Sequence, residues 1–241
     1  KKGVAPSGGL SYSHAVFTNS NMTINGGISV NGNIHSNGNL DVNGTVFNLE
    51  NGIATAVGTN NSGYGDGNQP LQNYPAIAWP YFQSLAEQEI NGGHYYNGDY
   101  TFDVTGTNLT GIHFIEGNVI IKTDMTLTNA SIFATGTITV LGNADITLGN
   151  DIAAHPLALV AKGNITIGGK VHGEGIIQTE ANFSNNGNVN IQEGAIYAEL
   201  GVFNGGGGSP FNVYYGTALA DIVVPGTGIP VWQKISWQEV Y

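Results

Sequence analysis

Between Met22 and Val46 apolar residues recur at a step of six. One row is Met22, Ile28, Ile34, Leu40 and Val46; a second is Ile24, Val30 and Val42, with Ser36 in the same phase. Asn-Gly keeps that step, at Asn25-Gly26, Asn31-Gly32, Asn37-Gly38 and Asn43-Gly44. Apolar residues two apart share one face of a strand. Asn and Gly accept the positive φ that a tight corner requires. The unit apolar-x-apolar-Asn-Gly-x therefore predicts a short strand and a bend. Hairpin strands need more length than a hexad gives, so the chain is expected to keep coiling. Three sides make a coil of about 18 residues. Met22 should lie over Leu40, Ile24 over Val42 and Ile28 over Val46, with Thr23, Ser29, His35 and Asp41 pointing outward.

A looser version continues at Ile115-Glu116-Gly117-Asn118, Phe133-Ala134-Thr135-Gly136, Val160-Ala161-Lys162-Gly163-Asn164, Ile177-Gln178-Thr179-Glu180 and Ile196-Tyr197-Ala198-Glu199. Pro is absent from 22 to 69, 101 to 155 and 157 to 209, as a ladder that needs every backbone N–H demands. The pattern breaks at 58–73, which reads as a Gly/Asn-rich loop, and at 74–100, which is dense in aromatics. There Pro80 to Ile90 reads as a short helix with Phe82, Leu85, Ala86 and Ile90 on its apolar face. Pro suits its first turn and Gly92-Gly93 its end. The expected fold is all-β: one parallel β-helix, or β-solenoid, with a short helical insertion near residues 80–90. Residues 22–57 form regular hexad coils, 58–100 a loop and helical lid, 101–204 further coils, and 205–241 a C-terminal cap or tail. Trp232, Ile235, Trp237 and Val240 are expected to cap the last coil. Hexads fit coils of either hand.

Composition narrows the function. Six cations against 17 acids give a formal charge of −11, which repels phosphate backbones and anionic lipid. Nucleic acid is not an expected partner. No run of about 18 apolar residues exists, so this segment is not expected to insert in a membrane. Cys is absent, which removes disulfides and thiolate chemistry. The chain opens on Lys1-Lys2-Gly3 and reads as a mature or truncated product, which leaves room for an upstream anchor.

The stretch Ala15 to Val46, then His94-Tyr95-Tyr96-Asn97-Gly98-Asp99-Tyr100-Thr101-Phe102, Gly111 to Val119, Leu157 to Ile167 and the ending Ile235 to Tyr241 resemble bacterial type IV pilus-associated, minor-pilin-like proteins. These carry a polymer-forming, bactofilin-like β-solenoid. The resemblance covers most of the chain, and the order of its repetitive motifs is more specific than any one of them. It implies a right-handed β-helix, display outside the cell and a role in pili, surface assembly or adhesion. The implied partners are other pilus or surface proteins and further copies of the chain. It implies no catalytic residues. The pilin helix of that family has no counterpart in these residues.

Candidate chemistry is sparse. His14, His35, His94, His113, His155 and His172 form no zinc motif and are expected on the surface or in loops. No metal or cofactor is expected. Glu174, Glu180, Glu193 and Glu199 fall on neighbouring coils, and two carboxylates are what sugar hydrolysis uses. A carbohydrate-active β-helix enzyme is therefore the catalytic alternative, against which stands the scarcity of cations. Gly63-Tyr64-Gly65-Asp66-Gly67 is similar to a calcium-binding turn but occurs once, so a loop is expected. Gly205 to Gly208 lacks the Gly-Lys-Ser/Thr of a phosphate loop. Thr105/Thr107, Thr126/Thr128 and Thr137/Thr139 could belong to an ice-binding Thr array, but their spacings do not keep an 18-residue step. Trp79, Tyr81, Tyr95 and Tyr96 are the aromatics able to stack on a glycan, with packing of the lid as the competing role. The expected function is an extracellular structural or adhesive module without catalysis, with a glycan-binding adhesin as a further alternative.

Overall fold

Among the described residues the apolar alternation resolves into 21 short strands, every ladder of which is parallel. The computed structural model describes residues 12–44, 47–205, 210–216 and 219. In chain order the strands are β1 (Val16–Thr18), β2 (Asn21–Ile24), β3 (Ile28–Asn31), β4 (Ile34–Ser36), β5 (Leu40–Val42), β6 (Phe47–Glu50) and β7 (Ala54–Ala56). After α1 (Trp79–Glu87) come β8 (His94–Asn97), β9 (Tyr100–Phe102), β10 (Thr107–Glu116), β11 (Val119–Ile121), β12 (Met125–Ala134), β13 (Ile138–Val140) and β14 (Asp145–Gly149). Then follow β15 (Leu157–Ala161), β16 (Ile165–Ile167), β17 (Lys170–Thr179), β18 (Asn182–Asn185), β19 (Asn188–Ala198), β20 (Gly201–Asn204) and β21 (Phe211–Tyr214).

The strands wind into a parallel β-solenoid with three faces. The regular face runs β5-β2-β20-β18-β16-β13-β11-β9. The charged face runs β6-β3-β21, then the first halves of β19 and β17, β14, and the first halves of β12 and β10. The covered face runs β7-β4-β1, the second halves of β19 and β17, β15, the second halves of β12 and β10, and β8. At one strand spacing per level its nine rungs span roughly 38 Å. Inside, Met22, Ile24, Ile138, Ile165, Ile167, Phe183 and Val202 are fully buried.

Met22 pairs with Leu40 and Ile24 with Val42, as the hexads require. Ile28 pairs with Phe47 instead of Val46, because the corner after β5 is one residue longer than the corner after β2. The order of coils also differs from chain order. β1 stacks on β19, β2 on β20 and β3 on β21. The hexad coils thus form one end of the stack, against the C-terminal coils. β21 is an integral rung between β19 and β3, where a tail was expected. Trp232, Ile235, Trp237 and Val240 lie outside the described residues.

This order dictates the insertion. After β7 the chain is at one end, and β8 is at the other. Residues 57–93 must travel the length of the stack, and they do so along the covered face. Gln72 exchanges hydrogen bonds with Asn37, Tyr74 donates to the Thr179 carbonyl, the Trp79 indole donates to Glu180 at 2.6 Å, and Phe82 stacks on Phe133 at 4.2 Å. The helix spans 79–87 with Pro80 in its first turn, and buries Trp79, Phe82 and Ala86. It stops before Ile90, which is exposed, because Glu89 and Asn91 adopt left-handed backbone. Around the helix, Tyr74, Trp79 and Phe82 pack on the covered face. Residues 94–100, expected in the lid, already belong to the coils as β8 and the start of β9.

Candidate functional site

The three faces differ in what they offer outward. Three strands of the covered face read as unbroken apolar triplets, Ile132-Phe133-Ala134, Leu159-Val160-Ala161 and Ile196-Tyr197-Ala198, since both their sides are buried. The outward column of this face is Tyr95, Phe114, Phe133, Val160, Gln178, Tyr197, Phe17, His35 and Thr55. The strap of residues 72–92 buries most of it, so this face is spent on packing. His35 does point out of the coil, as expected, yet it is 1% exposed. Its ring lies between Thr55 and Asn37, which it meets at 2.7 and 2.9 Å. The surface placement expected for it fails because the strap lies over it.

The charged face turns out Thr126, Thr147, His172, Asn190, Asn212, Ser29 and Asn48 in one column. Lys170 and His172 both pair with Asp145, at 3.4 and 3.0 Å. Register shifts between Leu109 and Gly111 and between Gly173 and Glu174 mark its border with the covered face. At Gly173 φ is +113°, and a Cβ would sit 2.0 Å from the Leu148 carbonyl oxygen, so the irregularity is built into the sequence.

The regular face is the remaining one. Its ladders run without a register shift from β5 to β9. Each strand contributes one outward residue from its middle, giving the column Asp41, Thr23, Phe203, Ser184, Thr166, Thr139, Ile120 and Thr101. From Thr23 to Thr101 the column has no charge. Ile120 and Phe203 are 37% and 42% exposed, so apolar groups stand in water beside hydroxyls. Along one corner an amide ladder holds the turns in line. Asn118 accepts from the Thr137 N–H, Asn164 from that of Asn182, and Asn21 from that of Asn39, at 2.8–3.1 Å.

The Thr array was concealed by its spacing. Apart from Thr23 and Phe203, which are 180 residues apart, successive members are 18, 19 or 27 residues apart in sequence, because insertions at the corners leave the strands in register. The objection that Thr residues do not keep an 18-residue step therefore fails. Thr126 and Thr128 lie on the charged face and Thr139 on the regular one, so the sequence pairs do not stack on each other. The legible signal is a different one: Thr or Ser flanked by buried residues, in Met22-Thr23-Ile24, Ile138-Thr139-Val140, Ile165-Thr166-Ile167 and Phe183-Ser184-Asn185.

The other candidates are dispersed. Trp79 is 9% exposed, edge-on to Phe114 and Phe133 and 5.0 Å from the Lys162 ammonium; it packs the strap. Tyr81 is half-buried and lines a cavity of about 170 Å³ between α1 and the covered face. Tyr95 continues the covered column, stacked with Phe114 and donating to Glu116. Tyr96 points to the other side of β8, within 4.2 Å of the Tyr100 ring. The four carboxylates split into two pairs on different corners. Glu174 aligns with Glu193, while Glu180 and Glu199 line a cleft beside Tyr74. Burial, with Glu180 adding to it, raises the Glu199 carboxyl. The Gly63–Gly67 loop gives its Tyr64 and Asp66 carbonyls to Ala54 and Ala56 and so closes one end of the stack. Among the described residues no group of three or more His, Asp or Glu could hold a metal ion. No described helix is long and apolar enough to cross a membrane.

His14 and His35, with ring centroids 5.5 Å apart, make stability pH-dependent. Burial, then His35, lowers His14 from 6.5 to about 4, and burial lowers His35 against an opposing bond to Asn37. Below 6.5 the unfolded chain takes up protons that the folded one refuses. Stability should be full above that pH and fall as pH drops toward 4. Melting temperatures between pH 7 and 4 should show the decline, and His14→Gln should flatten it.

The chain matches no family model and no curated protein. Solved structures similar to this chain include two ice-binding proteins. A glycosylated ice-binding protein from an Arctic yeast is 14% identical over 88% of this chain and 94% of that one, with a TM-score of 0.50. An ice-binding protein from an Antarctic biological consortium is 13% identical over 84% and 87%, with a TM-score of 0.49. At these identities the likeness is one of fold. Nothing in the comparisons supports a pilin-like identity.

Proposed function

We propose that this chain is a non-catalytic, extracellular ice-binding solenoid whose regular face meets the crystal. The observation that carries this reading is the uncharged column from Thr23 to Thr101, one residue per coil, on ladders without a register shift. Adsorption to a crystal needs many weak contacts at a fixed repeat. Parallel strands supply one at about 4.8 Å. Thr offers a methyl group that water covers weakly and a hydroxyl that can join an ordered water layer. Charged groups would hold hydration shells of their own, and this column has none before Asp41. The charged face has the same repeat but carries Lys170, Asp145, His172 and Glu174, with two register shifts at its border. The Arctic yeast protein of the same fold, which is named for ice binding, adds support. Pilus association has no comparable observation behind it.

The test is adsorption of the wild-type chain to growing ice. A fluorescently labelled sample should be taken into an ice hemisphere and should slow recrystallisation of fine-grained ice. Exclusion from the ice, at the level of an inert labelled protein, would overturn the proposal.

A further inference from the structure

The two ends of the stack are closed differently. At the β5–β7 end the outer edges of β5 and β7 are taken up by residues 59–69. The Leu40 N–H bonds the Thr59 carbonyl, Asn61 N–H bonds the Leu40 carbonyl, and Ala54 and Ala56 bond Tyr64 and Asp66. At the other end, among the described residues, β8 pairs with β10 alone and β9 with β11 alone. Tyr100 N–H bonds the Asn118 carbonyl and the Phe102 carbonyl accepts from Lys122 N–H. By the alternation of a parallel ladder, Thr101 turns its N–H and C=O away from β11. Beside this free edge Tyr100 and Val104 are 36% and 67% exposed.

Acids mark this edge. The residues immediately flanking β2, β20, β18, β16, β13 and β11 include none, whereas β9 is bracketed by Asp99 and Asp103, both exposed. Asp99 occupies the corner position that holds Asn118, Asn164, Asn182, Asn21 and Asn39 in other coils, and there it accepts from the Asn118 N–H at 2.7 Å. An Asn could make the same bond, so the ladder does not explain the charge. Because residues 59–69 cover β5 and β7 at the opposite end, the free β9 edge is matched with the same edge of a second copy, and like edges join by a two-fold operation. That operation sets β9 antiparallel to its mate, centred on Thr101. Tyr100 would then face Phe102 of the second copy, a favourable cross-strand pair, but Asp99 would face Asp103 twice, which is unfavourable.

We propose that the β8–β9 end is a self-pairing surface for a second copy of this chain, held open by Asp99 and Asp103. This is the way natural sheets guard exposed edges. Neutralising the two acids should give a closed two-fold dimer and not a fibre. Its joined regular faces would lie side by side.

The test is sedimentation velocity over a concentration series. The wild type and a charge-matched control, Glu87→Gln/Glu174→Gln, should sediment as monomers. Asp99→Asn/Asp103→Asn should dimerise with a dissociation constant at least about tenfold lower. Adding Thr101→Pro removes the edge N–H, a change an edge strand tolerates, and should return the monomer. Circular dichroism checks each fold. If the double variant unfolds, Asp103→Asn alone should show a smaller shift in the same direction. The proposal is overturned if the neutralised edge stays monomeric, if the control associates equally, if Thr101→Pro does not reverse pairing, or if the wild type already dimerises.

Discussion

Phe133→Ala should lower the unfolding free energy by about 3–5 kcal/mol, although the ring lies outside the coil. Phe133 has no exposed surface. Phe82 stacks on it at 4.2 Å, Trp79 meets it edge-on at 5.9 Å, and Phe114 lies parallel to it at 6.4 Å. Removing it opens a cavity that neither the sheet nor a helix fixed at both ends can collapse to fill. The strap depends on this contact because its polar anchors on the coils, at Gln72, Tyr74, Pro75 and Trp79, lie before or at the start of the helix. Urea unfolding measures the loss. Limited proteolysis should show cleavage within 58–93 appearing at lower denaturant than in the wild type. Thr147→Ala, on the charged face, should stay within about 0.5 kcal/mol of wild type. Equal losses from the two substitutions would mean that the strap is not a stability element.

The strap and the coils were unequally legible. Met22, Ile24, Leu40 and Val42 stack as their spacing requires because side chains on a short strand can only alternate. The lid was readable from Pro80 and its apolar neighbours. Its path was not, since nothing local says that Val16 will sit on Ile196 or Val30 on Val213. Those contacts arise between distant coils that present the same rows of Ile and Val, and a periodic pattern is blind to which coil meets which. The covered face could have been found from Ile115, Phe133-Ala134 and Ile196-Tyr197-Ala198, where apolar residues run without alternation. The regular face was missed for a metrical reason. A constant step was demanded of a chain whose corners vary in length, while only the three-residue strands are held in register. His35 shows the converse limit. Its phase gave its direction out of the coil, and only the strap decides that this direction is buried.

Thr166→Tyr should abolish most ice adsorption, with a loss of about tenfold or more, or ~1.4 kcal/mol, while leaving the fold intact. Thr166 is the middle of β16 and is flanked on the column by Thr139 and Ser184. A Tyr there points to solvent, so it creates no clash within the protein and fits strand propensity. It does raise one bulky ring above its neighbours, and a rigid crystal plane cannot bend around it. Contact is then lost at Thr139 and Ser184 too, which is why one substitution outweighs its own share of the surface. Thr147→Tyr makes the same chemical change on the charged face, where Thr147 stands between Thr126 and His172, and should leave adsorption unchanged. The pair separates the face from the fold. A loss confined to Thr166→Tyr assigns the regular face; a loss confined to Thr147→Tyr would transfer the function to the charged one. If the two variants lose adsorption equally at unchanged melting temperature, neither face alone is the binding surface.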